Sequence, residues 1–185
     1  MSLKPWKKIR DELISKNPYW QYREMILETG EGKKTHWYYT KHRPFVCIIS
    51  VEGGGKIRMV RQYRPAPGGF YIEFPKGMVE DGEEPKEAAH RELGEETSLG
   101  AKSIEAITAL EVGVGSSDLQ MHVFLASNVY ENDLPSDDTE EFEQISLTIK
   151  EVDALFQEGR STDGESAAAW LVTRGRVQEI IDQMP

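Results

Sequence analysis

Glu92, Glu95 and Glu96 lie within five residues of one another, directly behind Arg91. On a helix, positions i, i+3 and i+4 share one face. Like charges at that spacing repel by roughly 0.2–0.5 kcal/mol per pair. The grouping makes sense when a divalent cation sits among the three carboxylates. The set offers oxygen donors without His or Cys, which suits hard Mg²⁺ better than Zn²⁺. Arg91 precedes Glu95 by one turn and can hold it in place. Upstream, Gly77 and Gly82 allow conformations that other residues resist, so the loop between them can aim backbone carbonyls at a metal.

A Glu-rich helix is ordinarily just a charged, solvent-facing one. Here the spacing of the whole stretch opposes that reading. It runs Gly77, five residues, Glu83, seven residues, Arg91-Glu92-Leu93, one residue, Glu95-Glu96, one residue, Ser98-Leu99. Six fixed positions at a background of roughly one in fifteen give about one chance in ten million per starting point. The pattern resembles the box of the Nudix hydrolases, with Leu93 and Leu99 in its aliphatic slots. Ser98 stands where that box has Gly. It falls at the helix C-terminus, where Gly is favoured, so Ser there costs some stability and removes no ligand.

The resemblance extends upstream. Arg61-Gln62-Tyr63-Arg64-Pro65, Gly69 and Glu73-Phe74-Pro75-Lys76-Gly77 look like the ADP-ribose and nucleoside diphosphate sugar pyrophosphatase branch. The resemblance implies that Arg64 contacts substrate phosphates, and a guanidinium matches a phosphate well. It implies metal ligation by the Lys76 backbone carbonyl, Glu92 and Glu96, with Glu95 close by as an alternative, and Gly77 beside the substrate. Mg²⁺ is the implied cofactor, with Mn²⁺ able to substitute. A further carboxylate comes from a late loop. The run Asp137-Asp138-Thr139-Glu140-Glu141-Phe142-Glu143 precedes a strand, and alignment on that strand puts Glu141 in the base position with Glu143 second. Trp20 and Trp37 fall where relatives use aromatic residues, some from a partner subunit, to sandwich the base; ordinary core or dimer packing is the competing role.

The implied reaction is metal-dependent hydrolysis of the pyrophosphate bond of a nucleoside diphosphate sugar, ADP-ribose foremost, to a nucleoside monophosphate and a sugar phosphate. Cleavage of GDP-mannose, NADH or a nucleoside triphosphate is the sibling alternative. A non-catalytic nucleotide sensor is the alternative of another class. ADP-ribose-preferring relatives carry a proline about sixteen residues past the box glycine; Val114 stands there, which points to broader specificity.

The elements that position these groups follow from the pattern. Residues 4–15 are predicted as a short helix, with Trp6, Ile9 and Leu13 at helical spacing. Strands are predicted at 19–28 and 35–40, then 45–51, 56–63, 70–74, 104–112 and 120–126. Residues 77–82 read as a glycine-bounded loop. Pro85 opens a helix reaching about Thr97, and helices are predicted near 151–158 and 165–184. The expected fold class is α/β (α+β): a Nudix α/β/α sandwich over residues 43–185. A helix and small antiparallel sheet over residues 1–42 would mediate dimerisation and complete the base pocket.

Composition is consistent with this. The 185 residues suffice for a core without staples. A formal charge of −10 opposes binding to a nucleic-acid backbone. No apolar stretch approaches the roughly 18 residues a bilayer requires. The lone Cys47, in an apolar run, is a core residue and suits a cytoplasmic setting. The expected partners are a small nucleotide-sugar substrate and a second copy of the chain, with neither nucleic acid nor membrane.

Overall fold

The computed structural model describes residues 3–132, 134–135, 141–159 and 161–184; the acidic residues 137–140 lie outside them. The chain divides into two compact units. The first comprises Met1–Pro44 and Glu111–Gln120, the second Phe45–Leu110 and Met121–Pro185.

The first unit is built on a three-stranded antiparallel sheet: β1 (Lys7–Lys16), β2 (Trp20–Glu28) and β3 (Lys34–His42), in that order. The helix expected over residues 4–15 is therefore corrected to a strand. Pairing with β2 slips between Lys8 and Arg10 and again between Leu13 and Ser15. Each slip inserts an extra residue and resets the alternation of faces. Trp6, Ile9 and Leu13 thus acquire helix-like spacing on an extended backbone, and all three remain exposed. The segment 113–117 is turned on Gly113, whose carbonyl accepts from the amides of Ser116 and Ser117. Thr40 of β3 donates its amide to the Ser116 carbonyl.

The second unit carries a mixed sheet in the order β10-β5-β4-β9-β8. These are β4 (Phe45–Val51), β5 (Ile57–Arg64), β8 (Leu99–Val112), β9 (Leu119–Glu131) and β10 (Glu143–Leu147). Two short strands attach to it: β6 (Gly69–Glu73) on β5, and β7 (Lys76–Met78) on β4. All seven residues of β4 are buried, and it runs parallel to β9. A strand covered on both faces reads as a continuous apolar run rather than an alternating one.

Helices α1 (Pro85–Thr97) and α3 (Gly164–Asp182) both pack on β4, and α2 (Ile149–Glu158) precedes α3. Val46 and Ile48 join Ala88, Ala89 and Leu93 of α1 in one apolar cluster. Alternation turns Cys47 and Ile49 to the opposite face. Phe74 stacks near Phe156 of α2 and Trp170 of α3, with ring centroids 5.8 and 6.1 Å away. This is the expected α/β/α layering. Among the described residues no helix is long and apolar enough to cross a membrane.

The opposite edge of β4 is divided. Phe45–Cys47 pair with β7, whereas Ser50 and Val51 pair with β5. The split inserts β7 beside the sheet's central strand and presents its backbone to α1. Residues 76–78 thus form a strand where a loop was expected.

Candidate active site

Helix α1 starts with Pro85 at its first turn and with the Glu87 carboxylate accepting from the Glu84 amide at 3.1 Å. Both devices satisfy or remove orphan N–H groups. It ends at Ser98 in the left-handed region (φ 54°), whose amide donates to the Gly94 carbonyl. Between these ends the helix brings Glu92 and Glu96 to 8% and 5% exposure, with Glu95 less deeply placed.

Arg91 organises the near end of this face. Its Nε and Nη2 bind the two oxygens of Glu83 at 2.9 and 3.0 Å. Nη1 reaches Glu92 at 2.7 Å and Glu95 at 2.9 Å, and Nη2 also donates to the Met78 carbonyl at 3.0 Å. Chief among the effects on Arg91 is its bond to Glu83, and together its partners hold the guanidinium well above the ordinary arginine range. Glu83 is in turn held below the usual carboxylate range by Arg91. Part of the charge compensation expected from a cation alone is thus supplied by Arg91.

Gly77 serves by its missing side chain. A Cβ there would fall on the Glu92 carboxylate, so the β7 backbone and that carboxylate are in direct contact. Its φ is not in the left-handed region, unlike that of Gly82 at 85°. The expected conformational role belongs to Gly82, and Gly77 is required for space.

Among the described residues, no group of three or more His, Cys, Asp or Glu side chains is spaced to hold a metal ion by itself. The donors present still fit Mg²⁺. That ion typically retains waters and takes one or two carboxylates plus substrate phosphates rather than a complete protein cage. Two buried carboxylates on one helix face, with a backbone pressed against one of them, form such a partial, all-oxygen set.

The same unit holds a cavity of about 820 Å³, lined among others by Arg61, Tyr63, Arg64, Phe70, Glu141 and Glu143 and by none of the α1 carboxylates. Three of the residues expected to act, Arg64, Glu141 and Glu143, therefore meet in one place. Arg64 binds Glu73 in a bidentate fashion, through Nε at 3.0 and 3.2 Å and Nη2 at 2.5 Å. That bond is the main reason its pKa is raised, and the charge of Glu96 adds to it. Glu143 is opposite Arg61 in the β10–β5 pairing and is ion-paired with it at 2.8 Å. Arg61 also lies over the Phe70 ring, 4.4 Å from its centroid.

Sequence reasoning did not single out Arg61, Tyr63 or Phe70. The signal was present, because the first two belong to the same run as Arg64 and alternate with it along β5. It also overlooked the surroundings of the Lys76 side chain. The Lys76 ammonium lies 3.2 Å from Glu73, 3.0 Å from Asp163 and 3.1 Å from Glu165. Asp163 and Glu165 offered only the signature of a helix start. Burial also renders Cys47 inert by pushing its thiol far above the ordinary range.

Trp20 and Trp37 belong to the first unit. In the β2–β3 register Trp20 is opposite His42 and Trp37 opposite Met25. Positions 20 and 25 differ by an odd number, so the two indoles project from opposite faces of the sheet. Trp37 meets Trp6 edge-on at 6.0 Å. These two tryptophans of one chain cannot close on the same base from both sides.

The NUDIX domain family model matches residues 40–170. An ADP-ribose pyrophosphatase of Bacillus subtilis (strain 168) is 35% identical over 145 residues, 77% of this chain and 78% of that protein. An ADP-sugar pyrophosphatase of Mus musculus is 37% identical over 174 residues, 82% of this chain and 79% of that one. A solved structure of an ADP compounds hydrolase superposes with a TM-score of 0.87 at 20% identity, covering 97% of this chain and 98% of the other.

Proposed function

The chain belongs to the Nudix family, and on that premise we propose that it hydrolyses the pyrophosphate bond of nucleoside diphosphate sugars, ADP-ribose and related compounds. The products are a nucleoside monophosphate and a sugar phosphate. One observation carries the reading. The buried pair Glu92 and Glu96, with the Gly77 backbone against Glu92, belongs to the same unit as a cavity lined by Arg64 and Glu141. Relatives named for ADP-ribose and ADP-sugar hydrolysis support the substrate class.

A divalent cation, Mg²⁺ with Mn²⁺ as substitute, would be held by Glu92, Glu96 and the Lys76 carbonyl, with Glu95 as alternative; when bound it neutralises the diphosphate and lowers the pKa of water. Arg91 keeps Glu92 and Glu95 in place. Arg64 binds the phosphates. Glu141 accepts the proton of the attacking water. Glu143 is less available for that task, because its carboxylate is already ion-paired with Arg61 at 2.8 Å. It serves instead to orient Arg61.

Residues 1–42 form the dimerisation segment of a cytoplasmic homodimer. Since Trp20 and Trp37 project from opposite faces, a two-sided base sandwich built from them takes one tryptophan from each copy. The test is product analysis. ADP-ribose incubated with the protein and Mg²⁺ should give AMP and ribose 5-phosphate by chromatography, and neither in EDTA. Turnover undiminished in chelator would overturn the mechanism.

A further inference from the structure

Glu73 is 1% exposed and shared by two cations. Arg64 approaches from the cavity side and is itself part of the cavity lining. The Lys76 ammonium reaches the same Oε2 of Glu73 at 3.2 Å, and its side chain is only 10% exposed. The Lys76 side chain is anchored independently by Asp163 and Glu165. Asp163 caps α3, accepting from the Ser166 amide at 2.8 Å, and the Ser166 hydroxyl accepts from the Phe74 amide at 3.1 Å. The ammonium is thus fixed to the first turn of α3, whereas the Arg64 side chain is 37% exposed and faces open volume.

This asymmetry has a consequence for substrate binding. Arg64 spends its Nε and Nη2 on Glu73, so a phosphate that takes this edge of the guanidinium displaces the carboxylate from it. A buried carboxylate left without a cation is strongly disfavoured. Were Arg64 the sole cation at Glu73, its turning would carry that penalty and the phosphate would bind correspondingly less well. With Lys76 at the same oxygen, Glu73 keeps a partner throughout. We propose that Lys76 is a positioning residue that holds Glu73 in place of Arg64, so that Arg64 can exchange this carboxylate for the substrate diphosphate.

The inference rests on the reading of Arg64 as the phosphate ligand, and the experiment separates the two. KM and kcat for ADP-ribose with Mg²⁺ are measured for wild type, Arg64→Ala, Lys76→Met, Lys76→Met/Glu73→Gln and Lys76→Met/Arg64→Ala. Arg64→Ala should raise KM by at least about tenfold. Lys76→Met should raise KM on the order of tenfold, a figure discounted for the partial exposure of Arg64, with kcat within about threefold of wild type. Adding Glu73→Gln should return KM to within about threefold of wild type, because Arg64 then leaves no buried carboxylate behind when it turns to the phosphate. In the Arg64→Ala background Lys76→Met should add nothing. An unchanged KM in Lys76→Met, beside a raised one in Arg64→Ala, overturns the inference. So does a raised KM that Glu73→Gln fails to rescue, since that marks a general effect on the fold. An unchanged KM in Arg64→Ala overturns the phosphate reading beneath it. Where Lys76→Met does not fold, Lys76→Met/Glu165→Gln removes one of the carboxylates left unbalanced, and the same KM comparison applies.

Discussion

Two cations share the short strand β7, and they are used in opposite ways. Arg91 donates to the Met78 carbonyl of β7 and gathers Glu83, Glu92 and Glu95 around one guanidinium. Its partners lie within thirteen residues of it, Glu92 and Glu95 on its own helix. Lys76 is itself a residue of β7 and gathers Glu73, Asp163 and Glu165, two of which lie on the far side of the sequence at the start of α3. The Arg91 cluster arranges the carboxylates proposed to hold a metal. The Lys76 cluster fixes a helix to the sheet and steadies the charge behind Arg64. The fork of a guanidinium reaches several acceptors at set angles, whereas an ammonium is a compact charge that suits a tight, buried cluster. The difference teaches that similar clusters of acids around a base divide between chemistry and architecture according to which element each acid belongs to.

The comparison can be broken at several points. The largest effect is expected from Glu96→Gln, which removes a carboxylate from the proposed metal set. Its kcat should fall on the order of 10³ with the circular dichroism spectrum unchanged. A variant keeping a tenth of the wild-type kcat would place the metal elsewhere. Gly77→Ala comes next. The new methyl group collides with the Glu92 carboxylate, and the apparent Mg²⁺ affinity in an activity titration should drop about 10–100-fold. An unaltered titration would show that β7 and Glu92 need not touch.

Acidification distinguishes the clusters more finely. The folded-state pKa of Glu83 is depressed below its ordinary 4.5, chiefly by its bond to Arg91. Burial would raise Asp163, yet Lys76 and the Ser166 amide hold it below its ordinary 3.8. A depressed carboxylate contributes stability that is present above its unfolded pKa and is lost as pH falls through the folded one. Scanning calorimetry from high to low pH should therefore show the Arg91 cluster weakening from about pH 4.5 and the Lys76 cluster only from about 3.8. Glu83→Gln should flatten the first part of the decline and Asp163→Asn the second. Identical profiles for the two variants would contradict the assignment. The smallest effect is expected at Ser98, in the left-handed region at φ 54°. Ser98→Gly should stabilise by up to about 1 kcal/mol, less whatever is lost with the bond that its hydroxyl accepts from the Gln144 side-chain amide at 3.4 Å. A lower melting temperature would show that the contact outweighs the strain.

The same contrast explains what the sequence disclosed. Three features written in continuous stretches were legible: the span of α1 from Pro85, the face shared by Glu92, Glu95 and Glu96, and the layered fold around the apolar run 45–51. The long-range assemblies were not. Nothing in the spacing of Lys76 and Asp163 says that β7 and the α3 N-terminus meet; that contact follows from α3 packing on β4. Residues 7–16 were misread because two register slips disguised a strand as a helix. Trp20 and Trp37 could be placed on neighbouring strands, but their opposite faces became apparent only with the β2–β3 register.

Substrate choice is the most direct test of the central claim. The loop at Val114 lacks the stiffening that a proline would give, and the contacts proposed for the metal and Arg64 would be common to every nucleotide sugar. A panel of nucleotide sugars and nucleoside triphosphates, assayed by phosphate release with and without added phosphatase, gives kcat/KM for each. ADP-ribose and at least one other nucleoside diphosphate sugar are expected within roughly a hundredfold of each other. The triphosphates should trail well behind. A profile led by a triphosphate would contradict the account.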